Sequence, residues 1–153
     1  MAAIMKTHWI LVANGSGARF FSRASVGEPL VALETAQFPE GRLNNSELER
    51  ERHGHGSSDN SSNVVHFEPH TSTRKKLLHE FASKLARRLE EGAVNGEYAT
   101  FWLIAPGPLA SEIKGSLTRD VASRLQWMHD ADFTGLDVGA LEHRLLELHR
   151  HAQ

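Results

Sequence analysis

The chain has 153 residues, no cysteine and a formal net charge of −2 at pH 7. Its contents of 40% hydrophobic and 24% charged residues lie near the averages for globular proteins and exclude a wholly disordered chain. The lack of cysteine excludes a disulfide framework, a thiolate zinc site and an iron–sulfur cluster.

The sequence predicts a protein that neither crosses a membrane nor is exported. The longest apolar runs, at residues 9–13 and 101–105, are far shorter than the roughly 20 residues that a membrane-spanning helix needs. The amino-terminal segment has one lysine, Lys6, and passes directly into a strand-like run, unlike a secretory signal. We therefore expect a cytoplasmic protein.

Three strands are predicted in the first 38 residues. Residues 8–13 form a continuous apolar run, which is typical of a buried central strand, and the strands at 18–23 and 30–38 follow it. The stretch from Asn14 to Gly17 predicts a tight turn, because Asn and Gly tolerate positive φ. Short links of this kind favour an antiparallel meander.

A polar segment at residues 39–73 interrupts this pattern. It is rich in Ser, Asn, Gly and His; only residues 43–52 suggest a short helix and only residues 64–67 a strand. About 35 residues with little structure are uncommon within a compact domain and usually form a functional or disordered loop. We therefore predict one domain over residues 1–153, with a long mobile loop at about residues 39–73.

The clearest helix is predicted over residues 73–91. Leu77, Phe81, Leu85 and Leu89 recur every four residues, and most of the charged residues fall on the other side. The Thr and Ser residues at 71–73 are suitable N-caps, and Gly92 is a suitable stop.

The second half of the chain alternates strands and helices. Residues 98–105 are apolar on both faces, as expected of a strand covered on both sides, and residues 125–129 predict the last strand. Between these strands, Pro108 suits the first turn of a helix whose apolar face comprises Leu109, Ile113, Leu117 and Val121. The spacing of Thr134 and Asp137 resembles a capping box and predicts a final helix with Val138, Leu141, Leu145 and Leu148 on its apolar side.

The predicted fold class is therefore α/β. A meander followed by two right-handed crossovers gives a mixed five-stranded sheet of order 3-2-1-4-5 with helices on both faces, a ribonuclease-H-like layout. We expect the long helix and the central strands to share one core, which comprises Ile10, Val12, Leu77, Phe81, Leu85, Trp102 and Ile104.

No catalytic, cofactor-binding or metal-binding residues are predicted. A two-metal nuclease needs clustered carboxylates, but the central strands carry none, and Asp130 and Asp132 suit a polar turn. The ten histidines include the close pair His53 and His55, yet a zinc site needs three or four convergent ligands. Glycine motifs for phosphate binding and serine-nucleophile motifs do not occur. We therefore expect a protein that is not an enzyme.

Two motifs resemble those of a known bacterial family. The first is Ala-Asn-Gly-Ser-Gly-Ala-Arg, from Ala13 to Arg19, after the opening strand, and the second is Ala-Pro-Gly-Pro-Leu, from Ala105 to Leu109. Together with the segments around the long helix and residues 128–137, they make the chain resemble the host-attachment protein family over roughly residues 8–150. The family often has Asp where this chain has Asn14, and an acidic, Gly-rich loop where this chain has a Ser/Asn/His loop.

This family in turn resembles the central domain of archaeal and eukaryotic peptide-chain release factors. In those proteins the loop between the third strand and the long helix carries Gly-Gly-Gln, which enters the peptidyl-transferase centre. The present chain has its long loop at the same place, with the stretch from His53 to Ser58 in it, but the glutamine is missing. The resemblance therefore implies the fold and an affinity for ribosomal or transfer RNA, without peptidyl-tRNA hydrolysis.

The residues that flank this loop suggest where a macromolecule would bind. Residues 42–88 carry nine basic and six acidic side chains, whereas residues 89–153 carry five basic and ten acidic ones. Such a small positive excess is most often a solvated helix face, but it also suits contacts to RNA phosphates. The candidate macromolecule-binding residues are Arg50, Arg52, His53, Gly54, His55, Gly56, Arg74, Lys75 and Lys76. We expect a non-catalytic binding protein of the host-attachment family, or alternatively a translation or stress factor that associates with ribosomes or transfer RNA.

Overall fold

A computed structural model describes residues 7–40 and 61–152 of the chain. The strands are β1 (His8–Asn14), β2 (Gly17–Arg23), β3 (Val31–Gln37), β4 (Thr100–Ala105) and β5 (Leu125–Asp130). The helices are α1 (Ser61–Val94), α2 (Gly107–Gly115), α3 (Arg119–Arg124) and α4 (Val138–Ala152). The five strands form one sheet of order β3-β2-β1-β4-β5, which confirms the predicted α/β class and strand order.

The direction of the strands determines which residues meet at the sheet edge. β1 pairs with β2 antiparallel, and its register sets Asn14 opposite Gly17 at the turn and His8 opposite Arg23 at the other end. β1 also pairs parallel with β4, and β4 pairs parallel with β5. The carboxyl ends of β1, β4 and β5 therefore lie along the same edge.

The sheet separates two hydrophobic cores, so the prediction of a single core was wrong. Side chains alternate across a strand, which sends Trp9 and Leu11 to the face covered by α1, but Ile10 and Val12 to the face covered by α4. The first core contains Phe81 and Leu85, with Leu77 packed against it, and the second contains Trp102 and Ile104. The predicted set mixed residues of both faces.

The helix α1 begins twelve residues earlier than predicted. Residues 61–72 are helical, so the expected loop does not extend to residue 73, the N-caps at 71–73 are wrong, and residues 64–67 are not a strand. The apolar four-residue spacing begins at Leu77, so the sequence carries no helical signal over residues 61–72. The rest of the predicted loop, at residues 41–60, lies outside the described residues. No helix within the described ranges combines the length and the apolarity that spanning a membrane requires.

Gly92 does not end α1, because the helix continues to Val94 and stops in a Schellman motif. The N–H of Glu97 donates to the carbonyl of Gly92 at 2.8 Å, and the N–H of Gly96 donates to that of Ala93 at 3.1 Å. Gly96 has a φ of +70°, the left-handed conformation that this motif places after a helix.

The two later helix predictions also need correction. The helix expected after Pro108 is divided into α2 and α3, and the hydroxyl of Thr118 caps α3 by accepting from the N–H of Val121 at 3.3 Å. The capping box was wrong as well, since the Asp137 carboxylate itself accepts from the N–H of Ala140 at 2.7 Å. The hydroxyl of Thr134 bonds to Asp132 instead.

Candidate functional site

Three of the nine sequence-predicted macromolecule-binding residues lie in the described part of the chain. Arg74, Lys75 and Lys76 follow one another in α1, where both lysines are exposed and Arg74 is half-buried. Arg74 Nε is enclosed, and no hydrogen-bond partner for it lies among the described residues. The other six predicted residues, Arg50, Arg52, His53, Gly54, His55 and Gly56, lie outside the described residues.

The polar residues at the carboxyl edge of the parallel strands bond to one another. Asn14 Nδ2 donates to Asp132 Oδ2 and to Thr134 Oγ1, each at 3.0 Å. Asn14 Oδ1 accepts from the backbone N–H groups of Ser16, at 2.9 Å, and Gly17, at 3.1 Å. The amide of Asn14 therefore forms the β1–β2 turn and joins it to the segment after β5.

Asp132 and Arg19 complete this strand-end network. Asp132 Oδ1 accepts from the backbone N–H of Thr134 at 3.0 Å and from its hydroxyl at 2.6 Å. Burial raises the pKa of the Asp132 carboxyl, but the hydrogen bonds from Thr134 and Asn14 outweigh that effect and hold the pKa below its ordinary value. Arg19 donates to the carbonyls of Thr134 and Leu136 at 3.1 and 2.5 Å. The motif from Ala13 to Arg19 thus has a structural role, which is to fasten residues 132–136 to the hairpin.

Asp130, at the end of β5, also accepts a hydrogen bond from the backbone. Its Oδ1 accepts from the N–H of Gly107 at 3.0 Å, at the start of α2. Gly107 suits this approach, since a Cβ there would lie 3.2 Å from the second carboxylate oxygen. Among the residues that the structure describes, no group of three His, Cys, Asp or Glu side chains is arranged to hold a metal ion.

The opposite end of the α4-covered face contains a cavity of about 330 Å³. Its walls come from the end of β2, the β2–β3 turn at residues 26–29, the middle of β4 and one side of α4. Arg23 and Trp102 line it from the sheet, and Leu145 and His149 line it from the helix. Glu142 holds two of these walls together, because its Oε2 accepts from the N–H of Leu30 at 2.8 Å.

Arg23 is a buried cation beside this cavity. Only 6% of the residue is exposed, and its Nε donates to His8 Nδ1 at 3.0 Å. Nη2 is enclosed and has no hydrogen-bond partner, and no ion pair joins Arg23 to a carboxylate of the described chain. Burial lowers the pKa of the guanidinium to about 10, so Arg23 still carries its charge at pH 7.

His8 does not neutralise this charge. Burial, followed by repulsion from Arg23, lowers the pKa of His8 to about 3, so the imidazole is neutral at pH 7 and accepts a hydrogen bond through Nδ1. The second ring nitrogen, Nε2, is enclosed without a partner. The pair is therefore a singly charged cation with incomplete hydrogen bonding in an apolar surrounding.

Trp102 forms the aromatic side of the cavity. The guanidinium carbon of Arg23 lies 4.7 Å from the centroid of its ring, within the range of a cation–π interaction. The rings of His8 and His149 lie 5.2 and 5.4 Å from Trp102 between centroids. A charged group and a flat apolar surface therefore meet in the same pocket.

Sequence reasoning missed both Arg23 and Trp102 as candidate site residues. A two-residue turn between Asn14 and Gly17 places His8 opposite Arg23, which sets an arginine next to the buried end of a central strand. That pairing was the sequence signal from which a buried Arg23 could have been inferred. Trp102 had been expected only in the core, and the open space beside it depends on α4 and the turn at 26–29, whose positions no local pattern gives.

Comparisons with known proteins give one family and two distant structural matches. The model of a family described as "protein required for attachment to host cells" matches residues 9–145. No curated protein matches the sequence. Among solved structures, the archaeal translation termination factor aRF1 is similar, with 15% sequence identity and a TM-score of 0.42. A structure described as an archaeal protein is similar with 13% sequence identity and a TM-score of 0.41. Each match covers 96% of this chain but only 42% and 41% of those chains, so this chain spans less than half of their length.

Proposed function

We propose that this chain, which belongs to the family of proteins required for attachment to host cells, acts by binding a ligand and not by catalysing a reaction. The observation that carries the proposal is the Arg23 pocket. A buried cation with no carboxylate partner in the described part of the chain borders an open cavity, and an anionic ligand in that cavity would balance its charge.

The strand-end network supports binding over catalysis. A general acid or base has to exchange a proton with a substrate, which requires a polar atom that the substrate reaches. Both carboxylate oxygens of Asp132 already accept hydrogen bonds from Asn14 and Thr134, and Asp130 accepts one from the backbone. These groups are committed to holding the fold.

A ligand screen followed by NMR tests this proposal. Small polar and aromatic compounds are added to the ¹⁵N-labelled chain, and we expect amide shifts around Arg23, Trp102 and Leu145 with each compound recovered chemically unchanged. Trp102→Phe should weaken the binding, whereas Trp127→Phe is a matched control because Trp127 does not line the cavity. Shifts confined to the strand-end network, or conversion of a bound compound, would contradict the proposal.

A second candidate function is association with ribosomes or RNA. The observation that favours it is the run of three basic residues in α1, where neither exposed lysine is ion-paired with a carboxylate in the described part of the chain. Lysine and arginine side chains contact phosphates without reading sequence, and such binding weakens as salt rises. This candidate uses a different surface from the Arg23 pocket.

Co-sedimentation with ribosomes at low and moderate salt tests the second candidate. Replacing Arg74, Lys75 and Lys76 by Ala should reduce the bound fraction and flatten its salt dependence. A matched control replaces three exposed basic residues elsewhere, Lys114, Arg119 and Arg150, and should leave binding unchanged. Equal effects of the two triple variants, or no sedimentation of the wild-type chain, would exclude this function.

A further inference from the structure

The hydrogen-bonding capacity of Arg23 is only partly used. A guanidinium has five N–H donors and accepts none, so it is satisfied only by acceptors around its edge. Nε reaches His8, one face of the guanidinium lies over Trp102, and Nη2 has no partner. What this group lacks is an acceptor, and a negatively charged acceptor would also balance its charge.

The charges around the cavity limit that acceptor to a single negative charge. Glu28 and Glu142 line the same cavity as Arg23, together with His143 and His149. A dianionic phosphate would meet one cation and two carboxylates, whereas a carboxylate carries one charge and suits the paired N–H groups of a guanidinium. A monocarboxylate therefore fits these charges better than a phosphate.

Apart from His143 and His149, the rest of the lining is apolar. Trp102 and Leu145 form the inner part, and Val26 and Leu146, which are 37% and 43% exposed, form the rim. A volume of about 330 Å³ lies at the lower end of the roughly 300–1,000 Å³ of ligand pockets. The space suits one ring or a branched alkyl group.

We propose that the Arg23 pocket binds a small monocarboxylic acid, with the carboxylate on the Arg23 guanidinium and an aromatic or branched apolar body against Trp102 and Leu145. This inference rests on the proposed function, because it names the ligand class of the same pocket. In this arrangement His8 is a positioning residue. It holds Arg23 through Nε, and because Nη2 is enclosed the ligand would approach the guanidinium from the side that borders the cavity.

Three probes of one shape test the ligand class on the wild-type chain. Phenylacetate, phenylacetamide and phenyl phosphate are titrated by NMR and by calorimetry at pH 7. Because hydrogen bonds to charged groups are stronger than neutral ones, we expect phenylacetate to bind at least about tenfold more tightly than the amide. We also expect it to bind more tightly than the phosphate.

Two variants test whether the Arg23 guanidinium is the group that binds the carboxylate. Arg23→Gln should remove the preference for phenylacetate over the amide, while Arg144→Gln, an exposed arginine of α4 that does not line the cavity, should keep it. If Arg23→Gln does not fold, the comparison of acid and amide on the wild-type chain still decides the ligand class.

The outcomes separate this inference from the proposed function. Equal binding of acid and amide in the pocket would overturn the carboxylate assignment and leave a binding protein. Tighter binding of phenyl phosphate would overturn the single-charge assignment. If none of the three binds, and no other compound shifts the pocket residues, both proposals fail.

Discussion

Gly92 of α1 lies so close to Trp9 of β1 that a Cβ at this position would be 2.7 Å from Cη2 of the indole. The same Cβ would lie 2.9 Å from Cε1 of Tyr98, whose ring is 4.5 Å from that of Trp9 between centroids. Both aromatic side chains are buried. The glycine therefore allows the last turns of the helix to rest directly on two rings of the first core.

Gly92→Ala should destabilise the protein although alanine favours helices. The helix would gain about 1 kcal/mol, but overpacking against two buried rings typically costs about 1–3 kcal/mol. Urea denaturation should show a net loss of about 1 kcal/mol, the middle of the range that these two opposing effects give. Gly115→Ala is the matched control, because nothing lies within 4 Å of a Cβ there, and it should be neutral or stabilising. A Gly92→Ala variant as stable as wild type would show that α1 sits farther from the sheet.

Phe81→Ala should cost about 3–5 kcal/mol of unfolding free energy by the large-to-small rule. Phe81 stacks on Phe38 at 4.8 Å between centroids in the first core, whereas Ile10 lies in the second. Residues in contact are energetically coupled and distant ones are not. The losses of unfolding free energy from Phe81→Ala and Ile10→Val should therefore add to within about 0.5 kcal/mol in the double variant. Those from Phe81→Ala and Phe38→Ala should not add. Denaturant titrations of the single and double variants measure this. Strong coupling between Phe81 and Ile10 would contradict the two-core arrangement.

Asn14→Asp should destabilise the protein near neutral pH. The new carboxylate would face Asp132 Oδ2, which now accepts from Asn14 Nδ2 at 3.0 Å. Losing this bond and setting two negative charges together should cost about 1–3 kcal/mol. Since a neighbouring like charge raises a carboxyl pKa, the deficit should shrink as the pH falls toward about 4. Adding Asp132→Asn should restore most of the stability at pH 7, and a double variant no better than Asn14→Asp alone would refute the charge explanation.

His8 should make stability depend on pH between its unfolded and folded pKa values. The unfolded imidazole binds a proton below about pH 6.5, but the folded one only below about pH 3. The unfolded state therefore holds more protons in this window, so the unfolding free energy rises as the pH rises, by up to about 1.4 kcal/mol per pH unit. His8→Gln still offers Arg23 an acceptor. This variant should lower the slope by the amount that corresponds to about one proton bound on unfolding. Identical slopes in the wild-type protein and in His8→Gln would show that His8 titrates normally.

The strand order was predictable because each strand has a strong local signal. Residues 9–13 and 101–105 are continuous apolar runs, and the turn at Asn14 and Gly17 sets the antiparallel pairing. The division into two cores follows from alternation along the same strands, although apolarity on both faces conceals which side chain points where. The early start of α1 was not predictable, since residues 61–72 lack the apolar spacing that packing on a sheet imposes.

The candidate site was much less predictable than the fold. Arg23 is a single basic residue at a strand end, and only its pairing with His8 shows that it is buried. The cavity itself depends on how α4 meets the turn at residues 26–29, two segments more than 100 residues apart. The family motif includes Asn14 and Arg19, and their contacts show a structural role.

The most direct test of the central claim is to observe the Arg23 guanidinium itself by ¹⁵N side-chain NMR during titration with phenylacetate. We predict that the Nε and Nη signals of Arg23 shift in proportion to the bound fraction and that its Nη protons exchange more slowly with water. The signals of Arg144, on the same helix-covered face but outside the cavity, should not move. Binding of the ligand without any change at Arg23 would contradict the claim that this buried cation anchors the protein's ligand.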